Sequence, residues 1–127
     1  MIKVLLVGLG GFTGSITRYL LALAMYEYVA APTFPYATLV INALGCFAIG
    51  VFNGLAETGG LFSAETRVLV VVGFLGGFTT FSAFGNETFV LMRGDQWLAA
   101  SSNIALHLII GIAAVWAGYA LANAIAK

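Results

Sequence analysis

The chain has 127 residues, 61% hydrophobic and 8% charged, with five lysines and arginines against five aspartates and glutamates. A soluble domain carries roughly 25% charged residues, so this chain lacks the polar groups to cover a water-facing surface and reads as a membrane protein, as its mean hydropathy of +1.04 also demands. Zero net charge and the lack of a basic patch exclude nucleic acid as a partner.

A helix crosses the hydrocarbon in about 20 residues, and four segments qualify. The first span is expected over residues 4–25. Its opening, MIKVLLVGLGGF, could serve as a signal peptide, but the segment carries Arg18 and no clean small-residue cleavage site precedes a soluble domain, so it is read as a span. Gly10 and Gly14 form a GxxxG pair, which lets two helices approach closely and which a dimer can use. Arg18 is the only charge well inside this span. Met25 is about two turns further, roughly 10 Å away. The guanidinium therefore either snorkels to the interface or faces a water-filled vestibule that attracts anions.

APTFP, with Pro32 and Pro35, separates the first two spans. The second is expected over residues 36–55. Thr38 and Asn42 are spaced i,i+4 and share a face. The Asn42 amide either bonds a neighbouring helix or donates to a passing ion. Cys46, the sole cysteine, has no disulfide partner in the chain and reads as a small hydrophobe.

After the polar loop at residues 57–67, the third span is expected over residues 68–92. Gly73, Gly76 and Gly77 lower helix propensity, and the Thr79-Thr80 hydroxyls compete for the backbone. This predicts a helix that breaks between Gly76 and Thr80 and resumes near Phe81. Carbonyls freed at the end of the first half favour a cation, although a small-residue packing face would use the same glycines. Phe81 and Phe84, at i,i+3, can project together. Their ring edges carry partial positive charge and can contact a small anion, or the pair can be ordinary packing. Glu87, one turn beyond, either complements the start of the second half-helix or lines a vestibule.

RGDQ at residues 93–96 is a tight polar turn, and the fourth span is expected over residues 97–126. Asn103, His107 and Gly111 fall on one face. They form either a polar track beside a pathway or a helix interface in which the histidine is satisfied by a backbone carbonyl. Tyr26, Tyr28, Tyr36 and Trp97 lie near the expected membrane interfaces.

Four spans put both termini and the second loop on one side, with Lys3, Arg67 and Lys127 there against Arg93, and Arg18 if it snorkels, on the other. The bias places the termini in the cytoplasm but is so slight that it allows insertion in both orientations. Such a chain can pair antiparallel with itself. Four helices enclose too little interior for an ion path, so a homo-oligomer in the lipid bilayer is expected.

Three motifs carry a family resemblance over nearly the whole chain. GGFTGSITRY (residues 10–19), ATLVINALGCFAIG (37–50) and GFLGGFTTFSAFGNE (73–87) resemble the span motifs of the CrcB/Fluc family of microbial fluoride channels. The resemblance implies an all-α membrane protein of four transmembrane helices, the third broken in mid-membrane, assembled as an antiparallel (dual-topology) homodimer in the inner (plasma) membrane. It implies two fluoride pathways lined by Phe81 and Phe84, with Asn42 bonding the ion, Ser82 between the phenylalanines, and Thr38, Asn103 and His107 alongside. Arg18 and Glu87 would sit at the vestibules. Backbone carbonyls of Gly76 and Thr79 from both subunits would hold a central structural Na+. Ser15, Ala37, Ala83 and Gly111 depart from the family pattern, and Ala83 removes a hydroxyl.

Passive fluoride export is thus the leading expectation. A proton-coupled small multidrug-type transporter is the alternative, and it needs an intramembrane carboxylate, for which Glu87 is the one candidate. A membrane assembly subunit would have no need of polar residues at matched depth. Enzyme chemistry is disfavoured, since no nucleophile–base pair or metal cluster is visible.

Overall fold

A computed structural model of the chain describes residues 1–28, 33–59 and 62–126. Pro32 and Lys127, and the side chain of Tyr28, lie outside the described residues. The elements are α1 (Ile2–Tyr28), α2 (Tyr36–Gly59), α3 (Ala64–Arg67), a π-helical stretch (Val68–Leu75), α4 (Gly76–Phe78), α5 (Phe81–Arg93) and α6 (Trp97–Ile125). Among the described residues, four helical lengths are long and apolar enough to cross a membrane: Ile2–Glu27, Tyr36–Glu57, Ala64–Arg93 and Trp97–Ile125. The first runs two residues past both expected ends, the second two past its expected end, and the third starts four residues early and ends one late. Hydropathy marks the lipid-buried part, whereas a helix continues until something stops its hydrogen bonding. Pro35 stands immediately before α2. At α3 the stop is Ser63, whose side chain accepts from the Thr66 N–H.

The helices face apolar residues outward. Leu98, Ile112 and Trp116 on α6 are exposed, as lipid-facing residues must be, while the α6 residues Ala100, Asn103 and Ala122 are buried. Tyr36 and Trp97 open their helices and are exposed, and Tyr26 is exposed near the end of α1, positions that suit interfacial aromatics.

Two pairs of spans make the body. α2 packs along α6 more extensively than any other pair meets, and α1 lies against the π-helical stretch and α4. Small residues permit both contacts. A Cβ on Gly50 would run into the Val115 carbonyl oxygen, and one on Gly118 into that of Phe47. In the other pair, the Cα of Gly10 would lie 2.9 Å from a Cβ on Gly73, and the oxygen of Gly11 2.6 Å from one on Gly77. The Gly10–Gly14 pair therefore meets the third span of its own chain.

The third span breaks at Thr79 and Thr80, which are extended (φ −88°, ψ 160° and φ −152°, ψ 115°), and α5 starts at Phe81 as expected. Gly76, expected at the break, is instead helical (φ −63°, ψ −36°), and so is Gly77 within α4. The glycines serve close approach to α1, and the threonines make the break. The π-helical geometry of Val68–Leu75 was not expected from the sequence. It coincides with a run of β-branched valines, whose restricted rotamers weaken α-helical preference, and π-turns concentrate near functional sites. Between α5 and α6, Asp95 takes the left-handed conformation (φ 56°), which aspartate tolerates better than most residues, and the Gln96 N–H bonds back to the Leu91 carbonyl at 2.9 Å.

Candidate functional site

Broken backbone at membrane depth must find internal partners, and side chains supply them here. The Thr79 hydroxyl donates to the Leu75 carbonyl at 2.8 Å, and its N–H reaches the same oxygen at 3.0 Å. Asn42 on α2 holds both backbone groups of Thr80. The Thr80 N–H donates to Asn42 Oδ1 at 2.9 Å, and Asn42 Nδ2 donates to the Thr80 carbonyl at 3.1 Å. The Thr80 hydroxyl accepts from the Ala83 N–H at 3.2 Å and so caps α5.

Two grooves flank this pinned residue. The first, of about 470 Å³, is lined by Asn42, Cys46, Gly76, Thr79, Phe81, Phe84 and His107, among others. The Phe81 and Phe84 rings meet at 5.5 Å and 52°, so the i,i+3 spacing does bring them together. Phe84 also lies against the His107 imidazole at 4.4 Å. Phe81 is 82% exposed, while Phe84 is half-buried.

The second groove, about 530 Å³, is lined by Arg18, Tyr19, Thr38 and Ser82 among others. Arg18 does not run to a helix end. Its Nη1 points at the break, 3.5 Å from the Thr79 carbonyl oxygen. Ser82 shares a hydrogen bond of 3.1 Å with the Thr80 hydroxyl, so it lies on this side and not beside the phenylalanine rings. Thr80 lines both grooves and forms the wall between them.

Beyond the break, Thr38 donates to Glu87 Oε1 at 2.5 Å, which joins α2 to α5. Glu87 thus bonds across helices instead of complementing the start of α5. Asn103 is fully buried, and its amide donates to the Thr88 hydroxyl at 2.9 Å, which in turn donates to the Phe84 carbonyl at 2.7 Å. Sequence reasoning missed Thr88, whose partner is fifteen residues away on another helix. His107 Nδ1 is 2.9 Å from the Asn103 carbonyl oxygen. Gly111 faces α2, where a Cβ would stand 3.6 Å from Cys46 Sγ. The residues expected to form one track on α6 therefore occupy different surroundings, one buried between helices and one at a groove. Among the described residues, three buried side-chain atoms have no hydrogen-bond partner: Glu87 Oε2, Asn103 Oδ1 and His107 Nε2.

Fold and site together define a multi-pass membrane protein whose third span is broken and whose polar groups converge on the break. The profile of the family described as "CrcB-like protein, Camphor Resistance (CrcB)" matches residues 5–119, and the chain belongs to that family. Its relatives include proteins named "Fluoride-specific ion channel FluC". One from Chlorobaculum tepidum is 48% identical over 123 residues, covering 97% of this chain and 96% of the relative. Another, from Methylobacillus flagellatus, is 41% identical over 121 residues, covering 95% and 94%. A third, from Flavobacterium psychrophilum, is 42% identical over 117 residues, covering 92% and 94%.

Proposed function

We propose that the chain is a fluoride-selective channel through which fluoride leaves the cytoplasm passively, relieving its toxicity. It works as an antiparallel homodimer of dual topology in the inner (plasma) membrane, with two pathways and a structural Na+ between the copies. The observation that carries this is the groove at the break: two phenylalanine rings and an asparagine line it, and Phe81 projects from it without cover from its own chain. A second copy would close that open side. The relatives named as fluoride-specific channels support the choice of ion.

Hydrogen fluoride enters a cell as a neutral acid and dissociates, so the anion needs a way out. Fluoride is tightly hydrated, and the lining must replace the water it loses. An amide carries two N–H donors. Asn42 commits one to Thr80 and keeps one for the ion. The edges of Phe81 and Phe84 offer weak positive charge without water. His107 extends the polar lining of this groove, Thr38 and Ser82 line the groove on the other side of Thr80, and Asn103 stands buried against Thr88; Arg18 and Glu87 set the potential at the vestibules.

The sodium would be held by backbone carbonyls of Gly76 and Thr79 at the end of α4, where the helix presents its negative pole. Thr79 O accepts only a long bond of 3.5 Å from the Arg18 guanidinium, and a carbonyl oxygen has a second lone pair to offer a hard cation. One chain supplies only part of a coordination shell, so this site too calls for a second copy. When bound, the ion adds positive potential near the anion path, offset in part by its carbonyl ligands.

The test is reconstitution into liposomes with external fluoride followed by electrode. Fluoride should be released without a pH gradient and chloride retained. Equal chloride release would end the proposal. Release that needs a proton gradient would favour a proton-coupled carrier instead, for which Glu87, with its unpartnered Oε2, is the residue to examine.

A further inference from the structure

His107 is the only histidine in the chain. Its Nδ1 lies 2.9 Å from the Asn103 carbonyl oxygen. A carbonyl only accepts, so Nδ1 carries the proton, and this fixes the tautomer of the neutral ring. Nε2 of that ring then holds a bare lone pair. It is buried and unpartnered, on a residue that lines the groove of the two phenylalanines. A lone pair repels an anion. One added proton turns the same atom into a charged N–H donor, the strong kind for a compact anion.

We propose that His107 is a proton-conditional anion-binding residue: Nε2 binds fluoride only when the imidazole is charged, so one proton and one fluoride are taken up together. This rests on the fluoride pathway proposed above and adds a condition to it. The Phe84 ring, 4.4 Å from the imidazole, lines the same groove beside it. Two titratable groups face His107, Glu87 from α5 and Cys46 from α2, while the groove residues Asn42, Thr79 and Phe84 are neutral. Arg18 on α1 is directed to Thr79 O and lines the other groove. Among the described residues, Glu87, with its own unpartnered oxygen, is the carboxylate that competes with fluoride for a charged ring.

Two measurements on the full chain without a histidine tag test this. In planar bilayers at symmetrical pH, with leak through protein-free bilayers subtracted, fluoride current should fall at least about threefold from about pH 5 to about pH 8. In His107→Ser, which keeps a donor in every protonation state, the current should not vary with pH. By nitrogen-15 NMR of the single imidazole in micelles, fluoride at fixed pH should increase the charged fraction of the ring, and chloride should not.

A wild-type current flat across this interval, or the same fall in His107→Ser, overturns the proposal. So does an imidazole whose charge fluoride leaves unchanged, even in a chain that conducts. A chain that passes no fluoride but whose ring is protonated by it supports the site while overturning the channel.

Discussion

Replacing Asn42 should unfasten the break. Thr80 is extended, so its N–H has no helical partner and Asn42 Oδ1 accepts it at 2.9 Å, while Asn42 Nδ2 donates at 3.1 Å to the Thr80 carbonyl, which as the N-cap oxygen also starts the α5 ladder. Asn42→Ala leaves the N–H unpaired and takes one of two bonds from the carbonyl. An orphaned buried polar group costs about 1–3 kcal/mol and a lost hydrogen bond about 0.5–1.5 kcal/mol, which puts the upper limit at about 4.5 kcal/mol. Interhelical side-chain hydrogen bonds in membranes average only about 0.6 kcal/mol, because the unfolded chain in lipid finds other partners. That puts the lower limit near 1.2 kcal/mol. Thr80 is half-buried beside two grooves, which lets water repair part of the loss. The expected cost is about 2–3 kcal/mol, or roughly 30- to 150-fold in the unfolding equilibrium. Asn42→Leu, which restores the volume but not the hydrogen bonds, should cost about as much. Equilibrium unfolding in mixed micelles gives the energies, and hydrogen exchange of the Thr80 amide reports the bond directly. The reasoning fails if both variants stay within about 0.5 kcal/mol of wild type with Thr80 exchange unchanged. It also fails if Asn42→Leu alone is rescued, since the role would then be packing.

Gly77→Ala places a methyl 2.6 Å from the Gly11 oxygen, backbone against backbone, and should destabilise by about 1–3 kcal/mol; Gly8→Ala, with nothing within 4 Å, should be neutral or stabilise by up to about 1 kcal/mol, and thermal melts in detergent compare the two. Thr38→Val keeps the side-chain shape but leaves Glu87 Oε1 unpaired, and should cost about 1–3 kcal/mol in unfolding, with Thr38→Ser recovering most of it. Phe84→Ala should lower both the melting temperature and fluoride efflux, because the ring packs on His107, whereas Phe81→Ala should lower efflux with little effect on the stability of the single chain, where its ring is 82% exposed.

Local chemistry was legible in the sequence and long-range partnership was not. The spans announced themselves because lipid demands apolar length. The restart at Phe81 was legible because paired threonine hydroxyls compete for backbone groups, and in the structure Thr80 caps the new helix. The glycines misled, because a low helix propensity measured in water means less where lipid keeps backbone bonds closed. Gly76 and Gly77 stay helical, and Gly77 lets α1 approach. For Asn42 the sequence offers a bond to a neighbouring helix or donation to an ion; the structure shows the first, but no spacing rule reveals that its amide meets Thr80, thirty-eight residues on. The same holds for Arg18, whose guanidinium turns to Thr79 O across sixty-one residues. Thr88 gave no signal at all, since a threonine in a helix is ordinary until a buried asparagine is found against it.

The hydrogen bonds divide the polar residues into scaffold and site. At the break the bonds are closed: Thr79 onto Leu75, Thr80 onto Asn42, and the α5 cap onto Ala83. Thr80 separates the Arg18 groove from the phenylalanine groove, so those bonds fix a wall with a polar space on each side. The buried atoms left open among the described residues lie past that wall, on Glu87, Asn103 and His107. A buried polar atom without a partner is costly and calls for a reason. A scaffold would have closed them, as it did at Thr80 with one asparagine. Of the three, His107 alone lines the phenylalanine groove, whereas Asn103 is fully buried against Thr88 and Glu87 is held by Thr38, so the histidine nitrogen is the open atom that a group from outside the chain can complete.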